Sequence, residues 1–390
     1  VVVPPAPRTV LALLTLTTLA AAPGCGRLRY GELYGEILVV DVTVDRMAGP
    51  TTMASPDDVL APGLSLREAL TIARNRAGAE LVYFDPAAWP SADPVTLTPT
   101  EGPLPAVDTD GTEVSAPEGG VVIDGSGTTG PVITVSGDRC RVSGITLIGA
   151  GGDAIAVDGA RGVRISDMTI LDPAGRGIVV TNSEDVLLER NRIERPGSDL
   201  ITVEDSAAID IRWTFGIIGD KGANRGVHLE RVDDSRICDN VIDPGSARLI
   251  ELVDSSRNEI CRNILDRGHA GVVLEGASHE NLVFQNSIIG SEYDGVYVAD
   301  VSTGNTVVHN TMLDCGSALV DGAPDTIAGN NLVSSDPTEF ADPAPPAYDF
   351  HLVRGSPHID AGEPLGYDCL PESGEFFLGA APDLGAVESY

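Results

Sequence analysis

A repeat of about 23 residues runs from Val142 to Leu332 and constrains this chain more than any other feature. Each row carries an apolar residue, an Asn three positions on, and a second apolar residue two further. The rows are Leu188/Asn191/Ile193, Ile237/Asn240/Ile242, Ile260/Asn263/Leu265, Val283/Asn286/Ile288, Val307/Asn310/Met312 and Ile327/Asn330/Leu332. Two earlier rows, Val142/Ile145/Leu147 and Ile165/Met168/Ile170, keep the apolar marks without the Asn. A fixed short period means stacked units, each burying a face against its neighbours. The unit is too short for two helices and too β-branched for a leucine-rich horseshoe. Three short alternating runs per period predict one coil of a single-stranded right-handed parallel β-helix. The marks predict eight or nine coils between about residues 120 and 334.

A solenoid grows along one axis, so the whole length can form one unit. Gly is abundant (44) and aromatics are scarce (4%), which suits tight turns around a narrow aliphatic core. The formal net charge is −33, and the single lysine is Lys221. Phosphate binding needs clustered Lys and Arg, so the composition argues against a nucleic-acid partner. An acidic surface also repels anionic polymers unless cations bridge the two.

Arg8 precedes an apolar run, Val10 to Ala22, and small residues lead to Cys25. That run is shorter than the roughly 20 apolar residues of a spanning helix and reads as an export signal over 1–25. Ala22-Pro23-Gly24-Cys25 resembles a bacterial lipobox, which implies an outer-membrane or cell-surface lipoprotein lipidated on Cys25. Plain secretion, and a misassigned start behind the Val-Val-Val opening, are the alternatives. Membrane contact is expected only through that anchor, and a monomer is expected.

Residues 26–62 read as a linker or first strand, 63–118 as an N-terminal cap with the first strands, 119–334 as coils, and 335–390 as a C-terminal cap segment. Ser65-Leu66-Arg67-Glu68 spells a capping box, and Leu66, Ala69, Leu70 and Ala73 give a helical stripe. A helix there would cover the open end of the solenoid, whose edges and core otherwise face water.

Leu64-Ser65-Leu66-Arg67-Glu68-Ala69-Leu70 resembles the "CSLREAI" segment of bacterial surface proteins of the right-handed parallel β-helix, pectin-lyase-like group, with Leu64 where a Cys is usual. Phe350-His351-Leu352, Gly355-Ser356-Pro357, Ile359-Asp360-Ala361-Gly362 and Pro382-Asp383-Leu384-Gly385-Ala386 are similar to the choice-of-anchor-like C-terminal segment of the same proteins. The resemblance covers about residues 63–390. It implies the architecture and says little about activity, because one fold hosts lyases, hydrolases, epimerases, adhesins and inert spikes. Arg267-Gly268-His269-Ala270-Gly271 only partly matches the Gly-His-Gly of polygalacturonases, and the Asp-Pro-His motifs of alginate epimerases are absent.

A second alternating run carries inward Ile155/Val157, Ile178/Val180, Ile201/Val203, Val227/Leu229, Ile250/Leu252, Val272/Leu274 and Val296/Val298. Side chains alternate along a strand, so the residues between point outward. One outward stack reads Ala156, Val179, Thr202, His228, Glu251, Val273, Tyr297. The next reads Asp158, Thr181, Glu204, Glu230, Val253, Glu275. Asp199, Arg225, Arg248 and Asp294 stand just before the strand. His228, Glu251, Glu204, Glu230, Arg225 and Arg248 are therefore expected on one face, next to an elongated row with extra residues around 219–224.

This is the one constellation with chemistry in it. His228, Arg248 and Glu251 are the candidate catalytic residues, with a base supplied by His228 or Arg248. Arg225, Glu204, Glu230 and Tyr297 are the candidate substrate contacts, the arginine for a sugar carboxylate and the tyrosine for a sugar ring. Glu204 and Glu230 could hold Ca²⁺ through oxygen ligands. The bland alternative is a solvated ladder of alternating charges. Two functions follow. In one, an exported surface protein binds an extracellular polysaccharide, with or without cleaving it, by elimination rather than hydrolysis. In the other, the protein is structural or adhesive and non-catalytic. Among the cysteines there is no zinc or redox spacing. Cys238 and Cys261 each precede their row's Asn by two residues, which places them on adjacent rungs within disulfide reach.

Overall fold

The computed structural model describes residues 35–117, 119–219, 225–243, 245, 248–345 and 347–362. The export signal, Cys25, the loop at 220–224 and the motif at 382–386 lie outside the described residues. The chain is a parallel β-solenoid of about ten turns. Each turn has three strands, as in Ile155–Asp158, Arg164–Ser166 and Thr169–Leu171. First and second strands merge into a 20-stranded sheet, and third strands form an 11-stranded sheet. Eight or nine coils were expected between about residues 120 and 334, and stacking also begins before that span. Ile37–Val40, inside the 26–62 segment, pairs in parallel with Leu81–Phe84, which pairs with Glu113–Ser115.

The expected inward marks lie over one another. Ile178, Ile201, Val227, Ile250, Val272 and Val296 pair rung to rung and are all buried in one continuous aliphatic core. Aliphatic burial contributes about 25 cal/mol per Å² of apolar surface, so a core this long carries much of the folding free energy.

The Asn row is a buried ladder. Asn263 Oδ1 accepts from the Asn240 backbone N–H at 3.1 Å and from Asn240 Nδ2 at 3.0 Å. Its Nδ2 donates to the Ile237 carbonyl at 2.7 Å and to Asn286 Oδ1 at 2.9 Å. An amide has two donors and two acceptor sites, and here all four are used. Two rows depart from the sequence reading. The turn between Asn191 and Asn240 carries Thr214 at the ladder position, where its N–H donates to Asn240 Oδ1 at 2.9 Å. In the last row the ladder residue is Asn331, not Asn330: Asn310 N–H donates to Asn331 Oδ1 at 2.9 Å. The register there is Val307↔Ala328 and Met312↔Val333, so Ile327 and Leu332 are outward. The terminal row is shorter, and the alignment on Ile327 slipped by one. A second ladder, Asn258–Asn281–Asn305, stands at the corner between first and second strands.

The helix Leu66–Asn75 begins with the expected reciprocal box between Ser65 and Glu68. Its Leu66 and Leu70 line a small apolar cavity with Val114, Val132, Val142 and Ile145, at the N-terminal end of the core. Towards the C-terminus, Phe340, Tyr348, Phe350 and Leu352 pack on Ile264, Leu313 and Leu332, on the outer face of the third-strand sheet. Cys238 and Cys261 pair in register and form a disulfide with Cα atoms 4.6 Å apart. Among the described residues no helix is long and apolar enough to cross a membrane.

Asn263→Ala removes the acceptor of the Asn240 N–H and of one Asn240 amide proton and the side-chain donor to the Ile237 carbonyl, while the backbone N–H at 263 still donates to Asn286 Oδ1. Each unpaired buried group costs about 1–3 kcal/mol. Equilibrium denaturation should show a loss of at least about 3 kcal/mol. Asn331→Ala, at the open end of the ladder, should cost clearly less.

Candidate functional site

The charged face is built by the first strands and the residues leading into them. The stack Thr202–His228–Glu251–Val273–Tyr297 is in register, and so is Glu204–Glu230–Val253–Glu275. All the candidate residues therefore share one face. Their side chains make a closed network rather than an open pocket. Arg225 clamps Asp199 through Nε and Nη2, at 3.2 and 3.0 Å, and reaches Glu251 Oε2 through Nη1 at 2.8 Å. Arg248 Nη1 donates to Glu251 Oε1 and, at 2.9 Å, to Glu275 Oε2. His228 Nδ1 lies 2.9 Å from Glu251 Oε2, close enough for an ion pair when the ring is protonated.

Glu251 is the hub. Burial pushes its carboxyl up, but His228, Arg225 and Arg248 together outweigh burial and hold it down at about 2. Burial also acts on Arg225 and Arg248 and favours their neutral forms, yet the surrounding carboxylates raise both above the ordinary guanidinium value. Thus Glu251 stays ionised and the arginines stay charged. Neither arginine is tuned to take a proton. The expected base, His228, is only 3% exposed and Glu251 4%, so a substrate cannot reach either without opening the face.

Glu204 and Glu230 sit on adjacent rungs, as expected. Each turns to an arginine, Glu204 to Arg176 at 3.8 Å and Glu230 to Arg231. Among the described residues no three His, Cys, Asp or Glu side chains converge to hold a metal ion. Tyr297 is half-buried between Val273 and Val320 on the rungs to either side.

Sequence reasoning missed Arg176 and Tyr293 and placed His269 only in a partial motif match. Arg176 occupies the pre-strand position two coils before Arg225 and clamps Asp153 at 2.9 Å. Extending the Asp199/Arg225/Arg248 column towards the N-terminus would have found it. Tyr293, 57% exposed, packs edge-on against His269 with ring centroids 5.7 Å apart, beside the start of the Asp294 strand. His269 Nε2 lies 3.3 Å from Glu292. These rings lie one position before the Arg248–Ala270–Asp294 register line, in turns where the periodic marks give no signal.

The family model described as "Right handed beta helix region" matches residues 119–312. No curated protein matches the sequence. Among solved structures, ORF18 of Geobacillus virus E2 is similar at a TM-score of 0.53 and 9% identity, over 71% of this chain and 59% of that one. Pectate lyase Pel9A is similar at 0.43 and 15%, over 91% and 96%. PfbA, a surface adhesin of Streptococcus pneumoniae, is similar at 0.38 and 12%, over 60% and 83%. This chain thus spans less than two thirds of the viral protein. The profile match and the coil geometry agree on the right-handed parallel β-helix architecture. At 9% identity the likeness to the viral protein concerns the fold alone.

Glu251 is depressed from 4.5 to about 2 in the folded state. Its contribution to stability is therefore full above the unfolded value and is lost as pH falls from about 4.5 towards 2. Glu251→Gln should lower the denaturation midpoint at pH 7, and the gap to the wild type should narrow on acidification to pH 3. A gap that stays constant over that range would show that Glu251 is not the hub.

Proposed function

We propose that this is an exported, surface-associated β-helix protein that holds an acidic extracellular polysaccharide on its first-strand face and does not cleave it. One observation carries the reading: the ionisable cluster is closed on itself, with the base buried and the central carboxylate locked in its ionised form. General acid–base chemistry needs a group of suitable pKa within reach of the substrate proton, and hydrolysis needs two accessible carboxyl groups at set separations. Arg176, Arg225 and Arg248 still present partly exposed guanidinium edges on the same side, with the Asp199 rung between the first two, and guanidinium suits a sugar carboxylate. Tyr293 and Tyr297 lie on the same side and offer rings for stacking. The Cys238–Cys261 disulfide fits an oxidising, extracytoplasmic compartment. In this reading Cys25 is the lipid anchor. Ca²⁺ would act by bridging the acidic surface to an acidic glycan, through Glu204 and Glu230 among others.

A polysaccharide array read with and without Ca²⁺, for retention and for release of unsaturated or reducing ends, tests this. Retention of polyuronates without product is the expected result. Arg248→Ala combined with Tyr293→Ala should weaken retention roughly tenfold or more, since a charge-assisted hydrogen bond contributes about 1.5–3 kcal/mol. Released unsaturated ends would establish a lyase instead. No retention of any glycan would favour a purely structural role.

A further inference from the structure

The corner between second and third strands carries a column of left-handed residues, one per coil: Asp167, Arg190, Trp213, Asp239, Arg262, Gln285 and His309. Asp and Arg in this column pair across adjacent coils. Arg190 donates to Asp167 through Nε and Nη2 at 2.7 and 2.9 Å, and Arg262 to Asp239 at 2.7 and 2.6 Å. Trp213 interrupts the series between the two pairs. Its φ is +52°, a conformation that is costly for a bulky L residue. It recovers little by burial, because it remains 49% exposed, whereas the other tryptophan, Trp89, is fully buried. Folding alone gives no reason to place an indole in this column.

The surroundings suggest what the indole is for. Arg212, one residue before, stacks its guanidinium 4.6 Å from the Trp213 ring centroid. Arg192, on the next coil towards the N-terminus, lies 5.0 Å from the centroid of Phe215 and is 53% exposed. Arg164, Arg190 and Arg212 all converge on one buried carboxylate, Glu189. Arg190 and Arg212 spend their donors on Asp167, Glu189 and Asp210, whereas Arg192 pairs with Glu194 through Nη2 and keeps a half-exposed guanidinium near this open aromatic face. A pyranose ring presents an apolar C–H face to an aromatic ring, and its carboxylate suits a guanidinium fork.

We infer that Trp213, flanked by Arg190, Arg192 and Arg212, is a second carbohydrate-binding subsite that stacks a uronate ring on the indole and takes its carboxylate on Arg192. It stands at the corner across the coil from the first-strand face and does not depend on that face binding anything. Two subsites on one rigid rod would let a single chain hold two strands of an acidic glycan, or one strand wrapped around it, with the gain of linked sites.

The test uses the whole chain and its own two tryptophans. Acrylamide should quench the exposed Trp213 and spare the buried Trp89, and Trp213→Phe should remove the quenchable component. Tetragalacturonate should protect Trp213, reducing quenching towards the level of that variant, while cellotetraose should not. Arg192→Ala, a substitution of an exposed side chain, should weaken the protection by tetragalacturonate roughly tenfold or more. Trp213→Gly should melt no lower than the wild type, because glycine accepts the positive φ without strain. Absence of protection, or equal protection by both tetrasaccharides, would overturn the inference. So would full protection in Arg192→Ala. Because the signal comes from the corner itself, it distinguishes failure of this subsite from failure of the first-strand face in the array.

Discussion

Coil-to-coil register, held by the buried Asn ladder, is the constraint on which the rest depends. A parallel solenoid joins successive coils by backbone hydrogen bonds that any sequence could make, so those bonds alone do not say which residue lies over which. The ladder does. Asn263 uses both amide protons and both acceptor sites on groups of the coils before and after it. A slip of one residue would strand all four and would also turn the aliphatic marks outward. Where Asn is replaced, by Met168 or Thr214, the neighbouring Asn still reaches across to the backbone N–H, at 3.1 and 2.9 Å. Isolated gaps in the series are therefore tolerated.

That register turns single positions into columns, and charge behaves differently in a column than on an ordinary surface. Equivalent residues of adjacent coils lie roughly 4.8 Å apart, so like charges stacked directly repel. The chain answers with alternation: Asp153 under Arg176, Asp167 under Arg190, Asp172 under Arg195, Asp234 under Arg257. Much of the ionisable wealth of this surface is architecture. The His228–Glu251 cluster is a local thickening of the same device, and that is why its carboxylates meet arginines and its centre is buried. Trp213 matters for the opposite reason, since it breaks the alternation and stays half exposed, with the Arg212 guanidinium against its ring.

The two surfaces use the fold in different ways. On the first-strand side, flat strands bring arginines from several coils into a line, a geometry suited to an extended polymer. At the corner, the tight left-handed turn projects a single indole away from the rod, with arginines behind and beside it. In the proposed reading both arrangements gain from a rigid scaffold, because an extended glycan is ordered on binding and preorganised donors lessen that entropic cost. The solenoid supplies the rigidity through its continuous core and doubled Asn ladders.

Much was legible in the sequence because a solenoid is nearly one-dimensional. Inward residues, the stacking of His228 on Glu251, the Cys238–Cys261 bridge and the capping box at Ser65 all follow from period and alternation. The reading failed where the period itself failed. Thr214 and Gly216 erased one row, and a shortened last turn moved the ladder from Asn330 to Asn331. Sequence also placed charges on a face without saying whether they would be free. Only the tertiary structure decided that His228 and Glu251 are buried, that Glu204 and Glu230 turn to arginines instead of to each other, and that Trp213 stands exposed in a left-handed corner. The physical reason is that spacing along the chain sets which residues become neighbours. Rotamers, turn dihedrals and the packing of adjacent coils then decide which of those neighbours meet and which remain open to a ligand.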